Sequence, residues 1–462
     1  MPSTRPRVPR SARARHAGRL LWLGFALACA TGARAQSLQE LYGAAHDYDA
    51  TYLATRAGLD AAQFRLAQAR GLQRPSVGLA VTTGRSVSSG PTSLGAQVVT
   101  QTTNANATNA TLNGAQNLYN RANDVTITQA ERAVQIARTD LEAAEQDLIL
   151  RVSQAYFDVL AAQDNLGTAH ASLAAISEQV ASAKRNFEVG TATITDTREA
   201  QARYDLARFT QIQAENDLAT KRILLDQTVG RIHATPRPLA VPVSVPPLAP
   251  PDVDDWVARA DAEHPSVRKA RLALEIARLD TDKAKAGHLP TVTLNGSYAR
   301  GHTTADGNVG SLPYSYGSNN TTAQFGVTLN VPLYEGQQVQ NRVRETLVLE
   351  EQTRDNLEFA RRGVAQATRT LFYNVGSGAA QVNALEAAES SSQLALEATQ
   401  LGFKVGVRVN IDVLNAQAQL YTTQAQLAKA RYDLIMAGLK LRQASGRLTG
   451  DDVNAVNALL IR

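Results

Sequence analysis

Cysteine is all but missing from this chain: of 462 residues only Cys29 is one, and none follows residue 36. Beyond that point disulfides and cysteine-bound metals are excluded. The seven histidines (16, 46, 170, 233, 264, 288 and 302) are scattered, with no ligand-spaced pair among them. No phosphate-binding loop, dinucleotide glycine fingerprint or nucleophile elbow occurs. The sequence therefore offers no catalytic residues, no metal and no cofactor. After residue 36 no run of 18 apolar residues appears, so no transmembrane helix is expected. Aromatic residues make up only 5%, while alanine, glutamine and leucine dominate the middle, a composition that leans to long helices.

The excess of basic charge is also deceptive. The formal net charge of +5 rests on seven arginines among residues 1–35, a stretch with no acid, and without it 40 basic face 42 acidic residues. A nucleic-acid-binding reading loses its support with that stretch. Residues 1–19 are basic, Leu20 to Ala30 mostly apolar, and Ala33-Arg34-Ala35 is a small-x-small cleavage site. This predicts a signal peptide over 1–35 and a mature chain beginning at Gln36. An uncleaved anchor is the alternative, against which the apolar run is short. Ala26-Leu27-Ala28-Cys29 is a weak lipobox, which makes lipidation of Cys29 the minor option. An exported chain without a membrane helix is periplasmic, secreted, or a membrane β-barrel.

What the chain does contain is itself, twice. At an offset of 215 residues, Pro75-Ser-Val-Gly-Leu matches Pro290-Thr-Val-Thr-Leu, and Leu118-Tyr119 matches Leu333-Tyr334. At 216, Tyr156-Phe157 matches Phe372-Tyr373, Phe187-Glu-Val-Gly190 matches Phe403-Lys-Val-Gly406, and Gly230-Arg231 matches Gly446-Arg447. Register held this far predicts two copies of one structural unit, 36–234 and 252–450, joined by the Pro-rich segment 235–251 and followed by a segment 451–462. Each unit reads as helix, two strands, long helix, turn, helix. From Val134 to Val180 apolar residues step by three and four, a heptad seam with one stutter at Leu148–Val152. The long helices are expected over about 123–187 and 338–403, each a rod of roughly 100 Å. Return helices are expected over about 196–225 and 412–442. Gly190 and Gly406 suit the left-handed end of the outgoing helix, and Thr195 or Asp196 can cap the returning one. Gly376-Ser377-Gly378 reads as a close-packing or kink site within the second long helix.

Gln324 to Val331 alternates strictly, with Phe325, Val327, Leu329 and Val331 on one face and Gln324, Gly326, Thr328 and Asn330 on the other. Val77, Leu79 and Val81 repeat the pattern, as do Val292 and Leu294, whereas about 104–117 alternates poorly. Lengths near ten residues suit tilted membrane strands, and stretches 84–103 and 301–318, rich in Ser, Gly, Thr and Asn, read as solvated outer loops. A soluble hairpin packed on helices would show the same alternation. Four strands cannot close a barrel, since the smallest have about eight; membrane strands here would have to be shared among subunits.

With Phe187-Glu-Val-Gly-Thr-Ala-Thr-Ile-Thr-Asp196 and Phe403-Lys-Val-Gly-Val-Arg-Val-Asn-Ile-Asp-Val-Leu-Asn415, with the duplication, and with Leu-Tyr before each long helix, the chain resembles the TolC-type outer-membrane efflux proteins over Leu38 to about Leu460. The resemblance implies a mainly α fold with β: a homotrimer whose twelve-strand β-barrel, in contact with outer-membrane lipid, continues as a coiled-coil α-helical barrel through the periplasm. It implies a passive exit duct for a tripartite efflux or type I secretion system, fed by an inner-membrane ABC or proton-driven pump. A periplasmic adaptor (membrane-fusion) protein would dock on the hairpin tips at Val189, Gly190, Thr191, Val405, Gly406 and Val407. By position, Asp412 matches the first aspartate of the family's constriction, and Asn415 stands where a second aspartate is usual. Thr195, Asp196 and Arg408 match the network that holds the hairpins closed, and Phe403 replaces a tyrosine of it. These departures imply three ring carboxylates rather than six and a gate held more by an Arg408–Asp196 pair. Phe325, Val327, Leu329 and Val331 would face lipid. The competing reading is a soluble periplasmic coiled-coil scaffold or adaptor.

Overall fold

The structure, a computed structural model, describes residues 35–240 and 248–461. The predicted signal peptide, with Cys29, lies outside the described residues, as does the middle of the Pro-rich segment. Helices α1 (Leu38–Tyr48) and α2 (Ala50–Gly71) lead into strands β1 (Ser76–Leu94) and β2 (Gln97–Tyr119). Long helix α3 (Arg121–Glu188) then turns back as α4 (Ile194–Val229). The order returns as α5 (Val253–Glu263), α6 (Pro265–Lys285), β3 (Thr291–Val309), β4 (Leu312–Asn330), α7 (Gln338–Lys404) and α8 (Asn410–Ala444), and closes on short helix α9 (Gly450–Asn457).

Local chemistry marks these boundaries. Ser37 and Glu40 form a reciprocal capping box at the start of α1, with Glu40 N–H donating to Ser37 Oγ at 3.2 Å. Asn120 caps α3 through Oδ1, which accepts from the backbone of Ala122 and Asn123. At 68 residues α3 is about 100 Å long. Each position of the predicted seam from Val134 to Val180 is buried or half-buried. α7 runs unbroken through Gly376-Ser377-Gly378, and a Cβ at Gly378 would sit 3.4 Å from Leu434, a close approach of α7 to α8.

The largest core lies around the middle of the rod. Leu148, Ile149, Val152, Tyr156, Phe157 and Leu160 of α3 meet apolar residues of α1, α4, α8 and α9, and the Phe157 and Tyr432 rings lie 5.7 Å apart. The Pro-rich strap runs across this core. Gln36 N–H donates to Thr235 O at 2.7 Å, Arg237 N–H to Gln36 O at 3.1 Å, and Ile461 N–H to Pro238 O at 2.9 Å. The buried Tyr156 hydroxyl accepts from Arg237 N–H at 2.9 Å, and burial pushes its pKa up.

The strands form one antiparallel sheet in the order β1-β2-β3-β4, with β1 and β4 as its edges. They are 19, 23, 19 and 19 residues long, about twice the expected length. The stretches 84–103 and 301–318 are not outer loops: they are ladder, closed by tight turns at Gly95 and Gly310, both with positive φ. Alternation reports a strand only where one face is apolar. Where both faces meet water, Ser, Thr, Gly and Asn read as loop while their backbones still pair.

Candidate functional site

Two regions carry the candidate chemistry: the wall of the sheet at one end and the two helix turns at the other. Residues paired across an antiparallel ladder share a face. Val77, Leu79 and Val81 therefore lie with Leu112, Leu294, Tyr298, Phe325, Val327 and Leu329, and these side chains are exposed. Val331 is exposed too but follows the end of β4. The opposite face carries Ser, Gly, Ala, Asn and Thr, and in β3 it is the sheltered one, with Ala305 fully buried. The apolar belt covers only the half of the sheet next to the helices. Along β4 it runs from Leu329 to Ala323, about 20 Å of strand. The half towards the turns is mostly polar, with single apolar residues such as Val87 and Val98 on the face of the belt and Leu94 and Leu312 on the other.

Phe325 has a second task. It stands opposite Gly296, where an added Cβ would come within 3.2 Å of its ring, so the ring covers the gap the glycine leaves.

The hairpin turns at the far end are twins. Gly190 (φ +81°) and Gly406 (φ +80°) follow the last helical residues. Gly190 N–H donates to Phe187 O and Thr191 N–H to Asn186 O, while Gly406 N–H donates to Phe403 O and Val407 N–H to Gly402 O. Both are Schellman ends, which require the left-handed residue that glycine supplies. Val189, Val405 and Val407 project into solvent with nothing to cover them.

The returning helices begin differently from expectation. Thr193, not Thr195, is the N-cap of α4: its Oγ1 accepts from Asp196 N–H at 3.2 Å, and Asp196 Oδ2 accepts from Thr193 N–H at 2.9 Å. Thr195 is exposed. In α8, Asp412 Oδ2 accepts from Val409 N–H at 3.4 Å and lies 3.6 Å from an Arg408 guanidinium nitrogen. Arg408 thus pairs with Asp412, one turn along its own hairpin, while Asp196 is engaged with Thr193; the expected Arg408–Asp196 pair is not formed within the chain. Phe403 is half-buried against Leu396, Val413 and Leu420.

Contacts between the two hairpins were not anticipated. Arg203 of α4 donates to Asn415 Oδ1 of α8 at 2.9 Å, and Gln179 of α3 donates to Asn410 Oδ1. Leu414 is buried among Ile176, Val180, Ala183 and Ala200. The amide at 415 accepts an arginine where a carboxylate would have carried charge. Leu414 was legible as an apolar residue beside the tip motif; Arg203 carried no signal.

α7 is apolar on two opposite sides. Thr368, Val375, Val382 and Leu396 are buried and fall at multiples of seven residues. Phe359, Tyr373, Leu394 and Leu401 also fall at multiples of seven, two positions out of phase with the first set and exposed by 79%, 63%, 64% and 63%. Two positions are about 200° around a helix, so the second seam faces away from the first.

An open four-stranded sheet with an apolar belt on one face, extended into a helical rod, is the subunit fold of a β-barrel and helical-barrel channel. The family model described as outer membrane efflux protein matches residues 28–231 and 256–447. Outer membrane protein TolC of Vibrio cholerae is 32% identical over 424 residues, covering 92% of this chain and 94% of that protein. The alkaline protease secretion protein AprF of Pseudomonas aeruginosa is 31% identical over 315 residues, 68% of this chain and 64% of that protein. The CmeC outer membrane channel of Campylobacter jejuni shares the fold, with a TM-score of 0.74 at 13% identity over 99% of this chain and 98% of that one. The chain belongs to the outer membrane efflux protein family, whose members are channels rather than enzymes.

Proposed function

We propose that three copies of this chain close their open sheets into one twelve-stranded barrel in the outer membrane, and that their helices form a tunnel through the periplasm. The open sheet carries this reading. Its two edges leave backbone groups unpaired, its exposed face is apolar over the half next to the helices, and four strands alone cannot close. The outward seam of α7 supports it, since a helix in a tunnel wall needs a neighbour on each side. The duct is passive: an inner-membrane pump, ABC or proton-driven, supplies the energy, and the cargo is chosen upstream. The segment 1–35 acts as the signal peptide that brings the chain out of the cytoplasm.

The hairpin tips are the docking site for the periplasmic adaptor. Val189, Val405 and Val407, exposed around Gly190, Thr191 and Gly406, offer the apolar surface. Asp412 contributes one of three carboxylates to the constriction, each partly compensated by Arg408, and Asn415 adds none. An exposed pair of this kind contributes about 0.2–1 kcal/mol, so three copies bias the gate without locking it.

Single-channel conductance of the detergent-extracted protein in a planar bilayer tests this. Discrete small openings are expected, larger or less sensitive to divalent cations in Asp412→Ala, and altered in Arg408→Ala. Openings indifferent to both substitutions would keep the duct and discard the gate. A protein that stays soluble without detergent and never inserts would return the case to a periplasmic scaffold.

A further inference from the structure

Among all residues of β1 to β4, four side chains other than tyrosine are of ionisable type: Arg85, Arg300, His302 and Asp306. The ladder puts all four on one face, the face of Phe325 and Leu79, and leaves the sheltered face without any. A wall meant to sort cargo by charge would carry its ionic groups on the other side.

Their level is as selective as their face. Arg300 stands beside Ala110, in register with Val81, at the limit of the apolar belt on the side of the turns. His302 is in the next outward row and Arg85 in the row after that, level with Asn106. Rows on one face are two residues apart, about 7 Å along the strand, or about 5 Å in height for a tilted strand. The three basic groups thus span roughly the thickness of one headgroup layer. Arg300 is exposed and has no ion pair among the described residues, and neither has Arg85. The His302 ring is steadied by a 2.8 Å hydrogen bond between Nδ1 and Asn319 Oδ1.

An uncompensated guanidinium at the edge of hydrocarbon draws an anion to itself, and arginine matches phosphate with two parallel N–H donors. The turns are the end of the sheet remote from the helices, so on the barrel reading, on which this inference rests, these residues lie in the outer leaflet. In a Gram-negative bacterium that leaflet is built of lipopolysaccharide, whose lipid A carries phosphates at this depth. We propose that Arg85 and Arg300, with His302 between them, form a lipid-facing site for the phosphates of lipid A, repeated on each subunit.

Native mass spectrometry and thermal melting of the oligomer in detergent provide the test. The probes are bisphosphorylated lipid A, the same lipid dephosphorylated, phosphatidylethanolamine, and inorganic phosphate. Only phosphorylated lipid A should remain bound and raise the melting temperature. Arg85→Gln and Arg300→Gln should each weaken that binding about fivefold, the double variant by the product, and Arg300→Lys should keep most of it. Equal retention of the dephosphorylated lipid, or a double variant that binds as the wild type does, would overturn the site while leaving the barrel intact. Inorganic phosphate stabilising as well as the lipid would overturn the lipid assignment. A wild-type chain that forms no oligomer under any condition would overturn the barrel, and the lipid site with it.

Discussion

α3 and α7 have 68 and 67 residues and hold equivalent places in the two halves, yet they meet opposite surroundings. α3 is enclosed by its own chain, with α1, α2, α4, α6 and α8 against it, and buries both Tyr156 and Phe157. At the matching positions of α7, Phe372 is half-buried and Tyr373 stands in solvent. Duplication supplied the same rod twice. What differs is how much of it the chain covers: the first helix is enclosed by the fold, and the second keeps an exposed seam for the neighbour that the proposed trimer would supply.

Substitution at the matched aromatic pair should separate these two roles most strongly. Phe157→Ala should cost the protein about 3–5 kcal/mol, as emptied aromatic sites in cores do, seen as a large shift of the denaturant midpoint. Tyr373→Ala should leave a dissociated chain within about 0.5 kcal/mol of wild type while lowering the temperature at which the oligomer dissociates on gels. Equal effects on both readouts would erase the contrast.

The turn glycines divide in the same manner. A Cβ at Gly446 would meet the backbone carbon of Glu263 at 2.7 Å, and φ there is +76°. Gly446→Ala should therefore cost about 2–4 kcal/mol, left-handed strain plus a clash that backbone cannot relieve. At Gly406 φ is +80° but the space is open. Gly406→Ala should cost only the strain, about 1–2 kcal/mol, and thermal melts of the two variants compare them directly.

A smaller effect is expected from pH, through the matched caps of α2 and α6. Asp49 accepts Arg151 through both oxygens, at 2.6 and 3.1 Å, and caps Tyr52 N–H. The Arg151 hydrogen bonds hold its carboxyl far below the usual range. Its counterpart His264 accepts Ser266 N–H on Nδ1 at 3.1 Å, and burial pushes its pKa down. A lowered histidine keeps its full contribution above the unfolded value of about 6.5 and loses it as pH falls below. A lowered aspartate does the same below about 3.9. Acidification from pH 7 to 5 should therefore loosen α6 before α2, measurable as hydrogen-exchange protection, and His264→Gln should flatten that difference.

Much of the fold was legible because periodicity survives in sequence. The seam from Val134 to Val180 gave α3 to within two residues at its start, and the paired F-x-V-G motifs gave both turns. The strands were legible only over the apolar belt. Beyond Val81 and Arg300 apolar residues are few and out of step, as at Val87, Leu94 and Val98, so no residue alternation marks the ladder that continues there. At the tips, family position singled out Asp412 and Arg408 but named Asp196 as the partner of Arg408, where the chain pairs it with Asp412. Thr193 won the cap over Thr195 because the reciprocal bond needs a spacing of three to Asp196. Arg203 reaches Asn415 across more than 200 positions, a relation only the folded hairpins create.

The unpaired margins of the sheet also set the kinetics of building such a wall. Over the apolar belt each of β1 and β4 turns about six backbone N–H and C=O groups outward, and each left bare in hydrocarbon costs several kcal/mol. On the proposed trimer, a lone subunit cannot enter lipid first and recruit companions afterwards. Seam closure and insertion become one concerted step, so the rate of appearance of functional duct should rise steeply with subunit concentration. On the proposed trimer, a subunit slow to find its companions would keep two adhesive edges open until they are paired.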